Sequence, residues 1–300
     1  MHFLHRSTPE DADRSGLAWA EFPADLHTPV RLFLALRGAG HRACLLEAAE
    51  GPERLARYSF LGVDPIGSFR AAHDGAVFEG QDGREEFDGD GLSALRKLVE
   101  RYHQPAPPRG LPPFCGGWVG GFTYEWAGVL EPSTGMPRTT LAENPYARFH
   151  LFETVVACDH ATQKLILITA CRAGAAGHEQ AMQTLDKLAE TLGGEPAELP
   201  AFRLLDEEPR PSMSREQYEA GVESLQGAIR QGEIFQAVLA QRFDQRFEGD
   251  PFTLYRVLRL ANPAPHMFFY EFDDLTLVGS SPERLVSVQD GVAQTRPIAG

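Results

Sequence analysis

Long apolar runs are missing from this chain. No stretch approaches the ~20 apolar residues that a helical membrane span needs. The polar segment Met1–Glu10 carries no apolar core for export. No membrane partner and a cytoplasmic location are therefore expected. Positive charge is scarce as well. Lys and Arg number 28 against 42 Asp and Glu, a net charge of −14. That balance argues against a nucleic-acid partner, which needs clustered positive charge, yet leaves room for a local basic pocket around an anionic substrate. There are only four cysteines, Cys44, Cys115, Cys158 and Cys171. They form no CxxC pair and no zinc-finger spacing, and read as buried reduced thiols. The ten histidines show no HExxH spacing, and no solenoid repeat is visible.

What is present is ordinary for a globular protein: 43% hydrophobic and 23% charged residues. Three hundred residues suggest roughly two domains of ~150 residues, enough to bury a core without disulfides or metals. Residues 1–25 are charged, contain proline and lack periodicity, so they read as an N-terminal arm. Thr28-Pro29 signals a helix start, with Leu32, Phe33 and Leu36 inward and Gly38 or Gly40 at its end. Short strands are predicted over Ala43–Ala48 and Arg57–Gly62. A hairpin is predicted around Gln81-Asp82-Gly83. Gly91–Tyr102 reads as a helix with Leu92, Leu95, Leu98 and Val99 on one face. Phe149–Asp159 and Lys164–Ala170 read as a second hairpin, its turn carrying a solvent-facing Asp159-His160. A helix follows over His178–Leu192.

Residues 193–213 are rich in Gly, Pro and Glu and mark a linker between a region 26–192 and a region 214–300. Ser214 with Gln217 has the pattern of a capping box. Tyr218, Val222, Leu225 and Ile229 follow at helical spacing, and Gly232 ends the helix. A long strand is predicted over Phe235–Phe247, then a helix from Asp250-Pro251 with Leu254, Val257 and Leu258 inward. Two hairpins follow, His266–Glu271 with Leu275–Gly279 and Leu285–Val288 with Val292–Pro297. Helices alternate irregularly with hairpins. The expected class is α+β, with largely antiparallel sheets packed as a sandwich and helices outside.

Few residues single themselves out for chemistry. Gln236, at a strand start, reads as a polar residue bonded to backbone. Glu283 follows Ser281-Pro282 and suits the first turn of a helix, where an acid meets the positive end of the helix dipole. Gly116-Gly117-Trp118-Val119-Gly120-Gly121 does not match a phosphate loop and reads as a tight bend between closely packed elements.

Three blocks in order resemble the chorismate-utilising enzymes: Glu233–Arg242 (EIFQAVLAQR), Gly279–Leu285 (GSSPERL) and Gln294–Gly300 (QTRPIAG). Within that family the resemblance is to the large subunit, component I, of anthranilate synthase. Leu45-Leu46-Glu47-Ala48 and Arg57–Gly62 extend it toward the N-terminus. The resemblance implies an anthranilate synthase component I-like fold and a chain that is the front part of a longer enzyme. It implies that Glu283 protonates the C4 hydroxyl of chorismate as it leaves. Members that activate water carry lysine at the place of Gln236; an amide cannot act as a general base, so ammonia is the implied nucleophile. Some folate-branch members carry a covalent lysine at the place of Ala299. Small Ala299 leaves room for direct addition, and Gly300 lets its backbone approach the substrate.

In the same family a Leu-Leu-Glu-Ser stretch and a Pro-Tyr-Met stretch hold tryptophan as a feedback inhibitor. Here Glu47, Ala48, Pro265, His266 and Met267 occupy those places, with Ala48 for the serine and His266 for the tyrosine. Two departures put tryptophan inhibition in question. The bland alternative for Leu45–Ala48 is a plain core strand. The implied function is the large subunit of anthranilate synthase, a lyase that converts chorismate and ammonia to anthranilate and pyruvate in tryptophan biosynthesis. Ammonia would come from glutamine through a partner amidotransferase, component II. Mg²⁺ is implied as the cofactor, with its ligands expected beyond Gly300; the 300-residue chain alone is expected to be inactive. The alternatives are component I of aminodeoxychorismate synthase and a non-catalytic regulatory or partner-binding fragment.

Overall fold

A computed structural model describes residues 3–9, 14–49, 57–103, 107–289 and 291–297. The chain forms two compact units. One joins Met1–Glu198 to Tyr255–Pro282, and the other joins Leu199–Leu254 to Glu283–Gly300. The first break lies inside the 193–213 segment. The stretch 214–300 is shared between both units, because a hairpin from it supplies strands to the first unit's sheet.

The expected N-terminal arm contains β1 (His5–Ser7) and β2 (Gly16–Pro23). Leu17, Ala18, Ala20 and Phe22 are buried, so β2 is a core strand and not an arm. Its alternation is masked by Glu21, whose charge is met across the ladder by Lys164 Nζ at 2.6 Å. Helix α1 (Pro29–Gly38) starts as expected, the Thr28 side chain accepting the Arg31 N–H. β3 (Ala43–Glu47), β4 (Tyr58–Val63), β5 (Gly67–Ala72), β6 (Gly75–Gly80) and β7 (Gly83–Phe87) follow. Helix α2 (Gly91–Arg101) turns Ala94, Leu95 and Leu98 inward, while Val99 faces out. The glycine-rich run is a strand, β8 (Gly117–Phe122), and not a bend. A Cβ on Gly120 would lie 2.0 Å from the Arg148 carbonyl oxygen, so only glycine allows that approach.

After the short α3 (Ala127–Leu130), the single strand expected over 149–159 is two: β9 (Ala147–Phe152) and β10 (Thr154–Asp159). They lie in different sheets, and the chain crosses between them at Glu153. β10 pairs with β11 (Lys164–Cys171), and the two threonine hydroxyls of the Thr154–Thr169 cross-strand pair are 2.9 Å apart. The turn between these strands is not solvent-facing at Asp159. That carboxylate is buried, is paired with Arg57 at 2.7 Å, and accepts the N–H groups of Ala161 and Thr162. Helix α4 (Ala175–Gly193) completes this stretch.

Beyond it come β12 (Arg203–Leu204), β13 (Arg210–Pro211) and helix α5 (Arg215–Gln231). The capping box at Ser214 and Gln217 is present, and Gly232 ends the helix in the left-handed region. The long strand expected over 235–247 is absent. Only β14 (Phe243–Asp244) and β15 (Phe247–Glu248) are extended and paired. An alternating pattern forms a strand only where a neighbour takes its backbone hydrogen bonds, and among the described residues no ladder partner serves 235–242. In α6 (Pro251–Ala261) the buried side chains are Phe252 and Tyr255; Leu254 and Val257 are exposed. Then follow β16 (His266–Glu271), β17 (Thr276–Ser281), β18 (Ser287–Gln289) and β19 (Val292–Gln294).

The first unit is built on two antiparallel sheets. The larger has eight strands in the order β1-β2-β11-β10-β4-β3-β16-β17, and the smaller five in the order β7-β6-β5-β9-β8. The fold is α+β, as expected. No helix among the described residues is long and apolar enough to cross a membrane. The sheets meet where Cys44, Phe152 and Tyr270 pack together, and the Tyr270 hydroxyl donates to the Val119 carbonyl at 3.0 Å.

His150 is buried at this junction, 2% exposed. Burial first, and then the nearby Arg42 charge, push its imidazole down to about 4, with Asp273 opposing. A folded value below the ordinary 6.5 means that stability is present above pH 6.5 and is lost as pH falls toward 4. Between pH 7 and pH 5 the native protein should lose about 2 kcal/mol more than His150→Phe. Urea unfolding of both proteins at the two pH values checks this, and equal losses would contradict it.

Candidate functional site

Register places two distant segments side by side. Glu47 on β3 stands opposite Met267 on β16, Leu46 opposite Phe268 and Leu45 opposite Phe269. Beyond the strands, the Ala49 N–H donates to the Ala264 carbonyl at 3.1 Å. All five residues of the expected inhibitor site, Glu47, Ala48, Pro265, His266 and Met267, therefore lie along one strand pair. Glu47 and Met267 are buried; Ala48, Pro265 and His266 are half-buried. The plain core-strand alternative describes Leu45 but not Glu47.

The Glu47 carboxylate is 4% exposed. A buried carboxylate requires partners, and α6 supplies them. The Tyr255 hydroxyl donates to Oε2 at 2.7 Å, Arg259 Nε to Oε2 at 2.7 Å, and Arg259 Nη2 to Oε1 at 2.8 Å. Burial, followed by the Glu47 charge, raises the Tyr255 hydroxyl well above its usual range, so it stays a donor. The hydrogen bond to Glu47 holds Arg259 above its ordinary value. Ser59, fully buried, lies with its Oγ 2.8 Å from His160 Nε2. Burial lowers the His160 pKa, against the raising effect of Glu47 and Asp159. Chemically the cluster is a closed set of charge-assisted hydrogen bonds that locks β3 to α6.

Sequence reasoning missed Tyr255, Arg259, Ser59 and His160. A signal existed for the first two. A lone acid in the apolar run Ala43–Glu47 demands a cation, and Tyr255 and Arg259 are four apart, on one face of a helix.

The residues expected to act on substrate belong to the second unit. Gln236 is exposed on irregular chain, not on a strand. Glu283 is exposed on the link between β17 and β18, and no helix begins at Pro282. The local helix-start role for Glu283 is thus ruled out. Ala299 and Gly300 lie outside the described residues. Neither Gln236 nor Glu283 sits on a strand that would fix its direction. Among the described residues no three His, Cys, Asp or Glu side chains group as a metal site. No step is derived through Mg²⁺. All four cysteines are buried and in no disulfide, and burial pushes the thiols of Cys44 and Cys158 up to about 12.

The profile of the chorismate binding enzyme family matches residues 41–300. The chain belongs to that family. Similar curated relatives include anthranilate synthase component 1 of Aquifex aeolicus, 32% identical over 295 residues, and that of Pseudomonas aeruginosa, 35% identical over 288 residues. These alignments take in 94% and 92% of this chain and 58% of each relative. The chain thus spans under two thirds of the length of these family members. Among solved structures, anthranilate synthase component I from Streptococcus pneumoniae superposes with a TM-score of 0.63 at 28% identity, covering 81% of this chain and 54% of that one. The menaquinone-specific isochorismate synthase of Escherichia coli gives 0.53 at 16% identity over 94% of this chain and 52% of that one, a likeness of fold alone.

The lock between β3 and α6 generates a stability prediction for this family member. Arg259→Leu leaves a buried carboxylate without its cation and should cost about 3 kcal/mol. Adding Glu47→Leu to that variant should restore part of the loss. Chemical denaturation of the two variants reads the difference; a double variant less stable than Arg259→Leu alone would contradict the account.

Proposed function

We propose that the chain is the corresponding part of an anthranilate synthase large subunit. The observation that carries this reading is Glu283. It lies exposed between β17 and β18, inside the Ser281-Pro282-Glu283-Arg284 block that resembles the family's, and it is an acid able to protonate a leaving hydroxyl. The relatives named anthranilate synthase component 1 support the same product. In the proposed reaction ammonia adds at C2 of chorismate. Glu283 gives its proton to the C4 hydroxyl, which leaves as water, because hydroxide by itself is a poor leaving group. Pyruvate is then eliminated and the ring becomes aromatic. Gln236, an amide, offers hydrogen bonds without competing as a base. Ala299 carries no side-chain nucleophile that would compete with ammonia. Ammonia is supplied from glutamine by a partner amidotransferase, and the reaction takes place in the cytoplasm.

The test uses a protein with the full span of the relatives, given chorismate, ammonium and Mg²⁺. Anthranilate is the expected product, and aminodeoxychorismate would overturn the assignment. Glu283→Gln should lower turnover by roughly 10²–10⁴-fold while leaving chorismate binding nearly intact. Unchanged turnover would remove Glu283 from the chemistry.

Tryptophan is proposed to bind weakly at the edge formed by Ala48, Pro265, His266 and Met267. Ala48 lacks the hydroxyl of the usual serine, and the Glu47 carboxylate is already engaged by Tyr255 and Arg259. Ala48→Ser adds one neutral hydrogen bond, about 0.5–1.5 kcal/mol, and should tighten tryptophan by roughly threefold to tenfold. Calorimetric titration of both forms decides it; tight binding by the native protein, unchanged by serine, would show that the pocket does not need this hydroxyl.

A further inference from the structure

At the opposite ends of β3 and β16 from the Glu47 cluster, the first unit has a second concavity. It lies between Arg42–Cys44, Pro65, His150 with Phe152, and Tyr270–Asp273, and encloses about 230 Å³. His150, Arg42, Pro65 and Asp273 also border a wider groove leading away from it. Among the described residues, neither Glu47 nor Gln236 nor Glu283 lines this space.

Its walls are flat rings. The His150 imidazole packs 5.6 Å from the Tyr270 ring, 5.1 Å from Phe272 and 6.3 Å from Phe152. The Tyr270 hydroxyl is committed to the Val119 carbonyl. The charges at the rim are already compensated: Arg42 pairs with Asp273 at 2.8 Å, His41 with Asp64 at 2.6 Å and Arg37 with Glu271 at 3.5 Å. His150 alone is different. It is 2% exposed, and no described residue hydrogen-bonds to either of its ring nitrogens. His150 lines the cavity, so a ligand placed there can supply the hydrogen bond that no described residue makes to this ring. Burial and Arg42 keep the ring neutral at pH 7, so it presents one N–H donor and one lone pair.

We propose that this cavity is a binding site for a small, uncharged, single-ring aromatic molecule carrying a hydroxyl or amino group. The ring lies against Tyr270 and Phe272, and its polar substituent hydrogen-bonds to His150. Size supports one ring, since a cavity of about 150 Å³ already accepts benzene. Rim neutrality disfavours a net charge inside. The site is independent of the reaction proposed above, so the failure of either leaves the other standing.

Phenol, aniline and toluene are the probes, titrated into the full chain by calorimetry at pH 7. Phenol and aniline should bind saturably and about fivefold more tightly than toluene, the equivalent of one neutral hydrogen bond. His150→Phe keeps an aromatic wall and removes the polar partner, so it should erase that preference. In the unmodified protein, phenol should shift the His150 imidazole resonances in NMR spectra and leave those of His178 unchanged. Three results would overturn the site: no saturable phenol binding, toluene binding as tightly as phenol, or a preference that survives His150→Phe.

Discussion

The antiparallel pairing of β3 with β16 is the constraint on which the first unit depends. More than two hundred residues of chain separate Glu47 from its partner Met267. Closing such a loop costs entropy that grows slowly with length, and the pairing recovers it through backbone hydrogen bonds and burial. Leu45 and Phe269 are fully buried on the two strands, and Phe33 of α1 packs edge-on against Phe269 at 5.3 Å. The Glu47 carboxylate then ties the same strand to α6 through three charge-assisted bonds. These are the stronger class of hydrogen bond, and they set the position of the neighbouring Ala48.

The proposed roles divide along the same lines. In the first unit the strand pair offers one edge at Ala48 and His266 and a separate aromatic cavity at His150. The second unit carries Gln236 and Glu283 on irregular chain. Its helix α5 buries none of its residues, although Tyr218, Val222 and Leu225 repeat at helical spacing. Phe235 is 99% exposed and Val238 79%. Apolar surface of this kind marks an interaction face.

Legibility followed how local each signal was. The Thr28-Pro29 and Ser214–Gln217 helix starts were readable because caps are local chemistry. The hairpins at Gln81-Asp82-Gly83 and Asp273-Asp274 were readable for the same reason. Sheet membership was not. Phe149–Asp159 gives no hint that the chain changes sheets at Glu153, and Gly16–Pro23 looks like loose chain until β11 is placed beside it. The Phe235–Phe247 alternation was a correct pattern without a partner strand. At the site, the blocks around Gln236 and Glu283 were visible as motifs. The partners of Glu47, Tyr255 and Arg259, were not, because a contact spanning over two hundred residues leaves only a weak trace: one acid in an apolar strand.

Native-state hydrogen exchange on the full chain tests the strand pairing most directly. If β3 and β16 are one structural element, the amides of residues 45–47 and 267–269 should exchange through a single opening of equal free energy, together with the rest of the eight-stranded sheet. Exchange of residues 266–281 through a separate, lower-energy opening, while β3 and β4 stay protected, would contradict it.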